Sequence, residues 1–279
     1  MNPLLIGLLL LAALAHASWN AMLKGKRSDP LTASAGLSLV WALVGWPLTM
    51  VVDAPAPASY PFLAVSVVVH LGYFSLLVAA YRRGDLSFVY PIARGLPPVL
   101  VAAVSAVFLH ETLTPLSTAG VALIALGVLT VGWPTRNADA PRPLGLALGT
   151  AAFITVYTLL DGWGVRAAGG AVPFLVWLTA VQGSLFFLGA LALRRAALLK
   201  ALKSRPGPPL AAGLLSAGGY GVALYAMAAS PIALVSALRE TSVLFAAVLG
   251  AVLLKEPFGR RRLLAAAVIA AGVVCVRVA

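Results

Sequence analysis

Acidic side chains are scarce in this chain. Eight Asp and Glu stand among 279 residues against 20 Lys and Arg, and only 10% of positions are charged. With 61% hydrophobic residues and a mean hydropathy of +0.99, this excludes an ordinary soluble domain and places the chain in a bilayer. The one cysteine, Cys275, excludes an internal disulfide and any cysteine metal cluster. The three histidines, His16, His70 and His110, fall on separate segments, without a His-Glu-x-x-His pair, so no metal is expected. A phosphate-cradling G-x-x-x-x-G-K-[ST] loop is missing too, so ATP is not the expected driver and no cofactor is expected. The lack of paired aspartates or a nucleophile elbow argues against one competing class, an intramembrane enzyme acting on lipid-linked substrates.

What the chain does have is long apolar runs. A spanning helix needs about 20 mostly apolar residues, because lipid offers backbone polar groups no partner and an α-helix satisfies its own. Ten stretches fit: 3–23, 31–52, 61–81, 86–109, 114–133, 143–163, 172–193, 209–229, 232–254 and 260–278. The separators are short and rich in Pro, Gly and charge, so the expected fold is an all-α polytopic membrane protein of ten transmembrane helices. Ala15-His16-Ala17 matches a small-x-small cleavage site, but no Lys or Arg precedes the first run, so it reads as a retained span.

The positive charge is distributed on one side. Connections after runs 1, 3, 5, 7 and 9 hold 16 of the 20 basic residues; the other side has Arg166 and Arg277, while Arg94 and Arg239 lie within runs. The positive-inside rule puts the odd connections in the cytoplasm and both termini outside, in a bacterial-type inner membrane. Nucleic acid is a poor explanation for charge arranged this way.

A shift of 145 residues superposes Arg94 on Arg239, Glu111 on Glu256 and Gly127 on Gly272, aligning runs 4–5 with runs 9–10. Five spans is an odd number, so two such copies in one chain must be inverted. The expected organisation is two inverted five-helix repeats, 1–137 and 138–279, with a site between them near mid-bilayer.

An arginine at mid-helix costs about 2.5–3.5 kcal/mol on insertion scales, so Arg94 and Arg239 are the strongest substrate-binding candidates. Glu240 points about 100° away from its neighbour Arg239 and would instead reach Arg94, as a counter-ion or a proton-coupling group. Two positive groups and one negative leave room for an anion, for which guanidinium's planar donor fork is suited. In run 1, His16 and Asn20 share a face, with Trp19 beside them and Lys24 one turn on, and His16 is a second candidate for proton coupling. Phe153, Tyr157 and Asp161 repeat that spacing in run 6, which fits a symmetry-related wall; an interfacial place near the helix end is the alternative for Asp161.

Tyr90, with Trp19, Asn20 and Tyr157 a further substrate-binding candidate, precedes Pro91, and with Pro97 and Pro98 the prolines predict a kinked or interrupted helix beside Arg94. Trp177, Gln182, Tyr220 and Tyr225 are further candidates for a cavity wall, or for the interfacial aromatic belt. Glu111 and Glu256 read as turn-forming or capping residues. Gly120, Gly127, Ala265 and Gly272 read as close-packing positions between runs 5 and 10, within one chain or across a homodimer.

The ten runs as two inverted halves, "AHASWNAMLK" in run 1, an acidic residue before "TLTPLSTAGVALIALGVLTV", and the parallel "LKEPFGRRRLLAAAVIAAGVVCV" resemble the drug/metabolite transporter superfamily, in its EamA branch. The resemblance covers essentially the whole chain and implies a carrier. Many members have Trp where this chain has His16, and the helix-9 run "ALRETSVLFAA" is more charged than usual; both features are similar to a subgroup associated with phosphonate utilisation. Members are often drawn with cytoplasmic termini, against the charge count here. The expected function is secondary-active or facilitative transport of a small anionic or zwitterionic metabolite, amino-acid- or phosphonate-like, by alternating access. A lipid-headgroup flippase is the alternative. The expected partners are a small solute and the bilayer, and the expected state is a monomer or homodimer.

Overall fold

Proline begins four of the helices, where its missing N–H has no intrahelical partner to lose and its fixed φ suits the first turn. In the computed structural model, which describes residues 1–23, 29–82, 92–131, 144–254 and 259–279, the helices are α1 (Pro3–Leu23), α2 (Pro30–Leu48), α3 (Tyr60–Arg82), α4 (Pro97–Phe108), α5 (Pro115–Val131), α6 (Leu144–Ala167), α7 (Ala171–Ser204), α8 (Gly207–Ala229), α9 (Ile232–Glu240), α10 (Ser242–Leu254) and α11 (Arg260–Val278). The described residues contain no strand. Seven helical stretches are long and apolar enough to cross a membrane, and Ile92–Phe108 and Pro115–Val131 are shorter apolar helices. The protein is an all-helical, multi-pass membrane protein.

The largest packing contacts are kept when the two halves are exchanged. Helix α1 packs on α8 and α3 on α6; α2 packs on α7, α5 on α11 and α4 on α9. Helix α1 also meets α9 and α10, as α6 meets α4. At the α5–α11 crossing a Cβ on Gly120 would come within 2.8 Å of the Gly272 carbonyl oxygen, and one on Gly127 within 3.1 Å of the Ala265 carbonyl oxygen. The 145-residue shift turns the first contact into the second. Small residues let these backbones touch, and they do so inside the chain.

Two helices are interrupted at repeat-related positions. Residues 92–95 are helical and α4 follows Leu96; α9 ends at Glu240 and α10 follows Thr241, 145 residues later. In the first half Pro97 and Pro98 cannot donate to the carbonyls four residues back. In the second, Thr241 tightens the turn, its N–H and hydroxyl both donating to the Leu238 carbonyl at 3.2 and 2.6 Å. Each break falls two residues after an arginine, Arg94 or Arg239, as the prolines predicted for the first.

Residues between runs 7 and 8, expected as a connection, are helical as far as Ser204. Arg195 adopts φ 48° and ψ −130°, and beyond this kink Leu198 enters an apolar cluster with Trp19, Leu31, Trp41 and Phe74. That cluster lies at the end of the bundle where α7 carries Arg194, Lys200 and Lys203. A second, around Leu9, Phe174, Met227 and Ile232, lies toward the other face. On that second face Glu111 pairs with Arg166 at 2.6 Å and accepts the Ile232 N–H at 3.0 Å, while Arg166 also donates to the Met227 and Ser230 carbonyls. Glu111 is thus a cap, applied from the first half to a helix of the second. Glu256 lies outside the described residues.

Candidate functional site

The two repeat-related arginines sit in different settings. Arg94 is 3% exposed and its Nε lies 2.7 Å from Glu240 Oε2, itself on a residue 3% exposed; its Nη2 donates to Ser242 Oγ at 3.1 Å. The arginine of one broken helix is therefore held by residues on both sides of the other break. Glu240 reaches across to Arg94, as its position beside Arg239 required. Neither residue lines the central cavity.

Arg239 does line it. Its guanidinium carbon lies 4.9 Å from the centre of the Tyr220 ring, and among the described residues no carboxylate lies within ion-pair distance of it. Desolvation strengthens the attraction of a cation to an aromatic face, which makes Tyr220 a partial substitute for a counter-ion.

The cavity is lined by members of both apolar clusters, Leu178 of the second and Trp19, Leu37, Trp41 and Phe74 of the first. Helix α1 contributes His16 and Trp19, whose rings meet edge to face at 4.9 Å. Trp41 of α2 is oriented by its indole N–H, which donates to the Gly213 carbonyl and to Ser216 Oγ, both at 3.0 Å. His70 and Tyr73 come from α3, and Tyr157 of α6 stacks on His70 at 4.1 Å. Helix α7 supplies Gln182, whose buried side-chain N–H2 has no partner among the described residues, and α8 supplies Tyr220. The wall is aromatic, with one cation and a few neutral donors.

Of the expected site residues, His16, Trp19, Tyr157 and Arg239 face the cavity, as do Gln182 and Tyr220. Asn20 does not: its amide donates to the His16 carbonyl at 2.9 Å within α1. Trp177 is not in the lining, and Tyr225 is 60% exposed on the outer surface. Phe153 instead occupies the space left by Gly72, joining α6 to α3. Tyr90 and Lys24 lie outside the described residues.

Asp161 is fully buried, at 0% exposure, behind the cavity wall and not in its lining. Ser66 Oγ and the Tyr220 hydroxyl both donate to its carboxylate, and His70 Nε2 lies 3.8 Å away. His70 Nδ1 is in turn 3.1 Å from Ser66 Oγ and 3.0 Å from the Ser66 carbonyl oxygen. The count of two positive groups and one negative therefore omits a second buried acid.

Sequence reasoning missed His70, Tyr73 and Trp41. A signal existed for Tyr73: Gly72-Tyr73 in α3 and Gly219-Tyr220 in α8 are the same dipeptide in equivalent helices. Each glycine takes a neighbour from the opposite half, Gly72 the ring of Phe153 and Gly219 the backbone of Ala12.

The model of the EamA-like transporter family matches residues 4–133 and 142–278. A solved structure titled only "Crystal structure of protein" superposes with a TM-score of 0.75 at 16% identity, over 99% of this chain and 96% of that one. At that identity the likeness concerns the fold. No curated protein matches the chain. The two family matches together take in nearly its whole length, so the chain belongs to the EamA-like transporter family. That family implies a membrane transporter of small molecules, not an enzyme.

Proposed function

We propose that this EamA-like transporter carries a small organic anion or zwitterion, amino-acid- or phosphonate-like, through the cavity between two inverted five-helix repeats, residues 1–137 and 138–279. Ten spans, counting the two broken helices and α11, complete the repeats. The observation that carries the reading is Arg239, a cation facing an aromatic cavity with no carboxylate partner among the described residues. Its planar donor fork suits a carboxylate or phosphonate. The rings of Trp19, Trp41, Tyr157 and Tyr220 suit an apolar body attached to that acid, and Gln182 and His16 offer neutral hydrogen bonds. Arg94 and Glu240 act as a strut between the two broken helices.

The repeat-related packing supports alternating access. Contacts that close one face have repeat-related positions on the other, so two conformations of similar energy interconvert by rocking of the halves, as secondary carriers or facilitators require. On the face without the basic cluster the closure is the second apolar cluster with the Glu111–Arg166 pair.

A thermal-shift screen of the purified protein against amino acids, phosphonates, phosphate esters and organic cations tests the substrate class, because a ligand that binds the folded state raises its melting point by mass action. Carboxylates or phosphonates are expected to stabilise. Stabilisation by organic cations alone contradicts the reading, and stabilisation by lipid headgroups alone would mark a flippase.

We also place the odd connections in the cytoplasm and both termini outside the inner membrane, on the distribution of basic residues. A reporter active only outside the cytoplasm, fused to the C-terminus, is expected to be active; a silent fusion overturns the orientation.

A further inference from the structure

Asp161 completes the charge account of the core. Arg94 and Glu240 neutralise one another, which leaves Arg239 and Asp161, joined through Tyr220: the ring lies against the guanidinium and the hydroxyl donates to the carboxylate. The groups that face Asp161 are Ser66 and His70 of α3, Tyr220 of α8, Arg239 of α9 beyond that ring, and Tyr157 of its own helix, which stacks on His70. Among the described residues no basic side chain other than His70 lies within ion-pair distance of it.

With Asp161 ionised, Arg239 and Asp161 already sum to zero in a dry interior. An anion arriving on Arg239 would then leave one uncompensated negative charge, which low dielectric penalises heavily. A proton on Asp161 removes that charge and leaves the acceptor bonds from Ser66 and Tyr220 in place, because a protonated carboxyl keeps lone pairs. His70 supplies the route: its ring lines the cavity, bonds to Ser66 and lies 3.8 Å from the carboxylate.

We propose that Asp161, with His70, is a proton-binding site that fills together with the anion on Arg239, one proton for one anion, so that the carrier moves both in the same direction. This rests on the anion reading of Arg239. By linkage, the anion binds more tightly when Asp161 carries its proton, and affinity weakens as pH rises and the proton is lost.

The test uses indole-3-acetate, an aromatic carboxylate, with binding to the purified protein followed by isothermal titration across a pH series. Wild-type affinity is expected to fall about tenfold per pH unit on the alkaline limb, the slope of one linked proton. Asp161→Asn, a neutral mimic of the protonated acid, holds the acid-side affinity at every pH. A pH-independent wild type, or a variant that keeps the wild-type slope, overturns the proposal. Infrared difference spectra of the ligand-free protein give an independent reading: on acidification one component of the protonated-carboxyl band should be missing from Asp161→Asn and retained in Glu240→Gln. A band in Asp161→Asn identical to that of the wild type overturns the proton site. If the band behaves as expected but no carboxylate binds, the anion reading of Arg239 fails and the proton site stands. Should Asp161→Asn not fold, Tyr220→Phe removes one donor from the carboxylate and must displace the midpoint of the pH dependence; an unmoved midpoint overturns the proposal.

Discussion

Arg94→Ala lowers the stability of the detergent-solubilised protein by about 3–5 kcal/mol, the cost of leaving one member of a buried ion pair without its partner. Glu240 would be that partner, 3% exposed and 2.7 Å from the guanidinium, with Ser242 losing its donor as well. The loss falls where two broken helices from opposite halves meet, so it loosens the centre of the bundle. Arg94→Met combined with Glu240→Leu removes both charges and most of the penalty, because a well-packed apolar pair of similar volume often matches a buried ion pair in stability. Denaturant unfolding followed by tryptophan fluorescence measures both. If the single variant is as stable as the wild type, Arg94 and Glu240 are not a strut.

Arg239→Ala is expected to do the opposite. Its guanidinium faces the cavity with Tyr220 beside it and no carboxylate within ion-pair distance among the described residues, so truncation breaks no direct ion pair. Stability stays at the wild-type value or rises, as it does where a site is kept strained for function. Binding suffers instead: removing one side of a desolvated charge pair costs about 2–5 kcal/mol, upwards of thirtyfold in affinity for a carboxylate or phosphonate. Arg239→Lys keeps the charge but not the planar fork, and recovers only part of that affinity. Two arginines related by the repeat thus have opposite mutational signatures, one read in unfolding and the other in ligand titration. Equal losses of stability in both would remove the distinction.

Much of this was legible in the residues because lipid leaves few options. Long apolar runs must be helices, and an ionisable group within one must find a partner or a cavity. The offset that aligned Arg94 with Arg239 also aligned the two helix breaks and the Gly120–Gly272 contact, since a repeat transmits backbone geometry along with sequence. Glu240 could be assigned to Arg94 because neighbours on a helix point apart. The offset did not reveal that the two arginines differ in setting. That depends on Glu240 and Ser242, whose counterparts at the same offset are Gly95 and Pro97, so the first half has no acid or hydroxyl at those positions to offer Arg239. The residues left Asp161 between a wall position and the membrane surface; α3 and α8 decide it by covering the carboxylate with Ser66, His70 and Tyr220. Contacts between helices far apart in sequence leave no periodic trace in either.

The central claim is that Arg239 receives the anionic group of the transported solute. Its most direct test is exchange flux in proteoliposomes, using the carboxylate or phosphonate that most stabilises the purified protein, with wild type and Arg239→Gln reconstituted side by side. The account predicts rapid exchange in the wild type and at least a thirtyfold loss in Arg239→Gln at subsaturating solute, the kinetic equivalent of about 2 kcal/mol or more, from a variant as stable as its parent. Undiminished exchange in Arg239→Gln would contradict it.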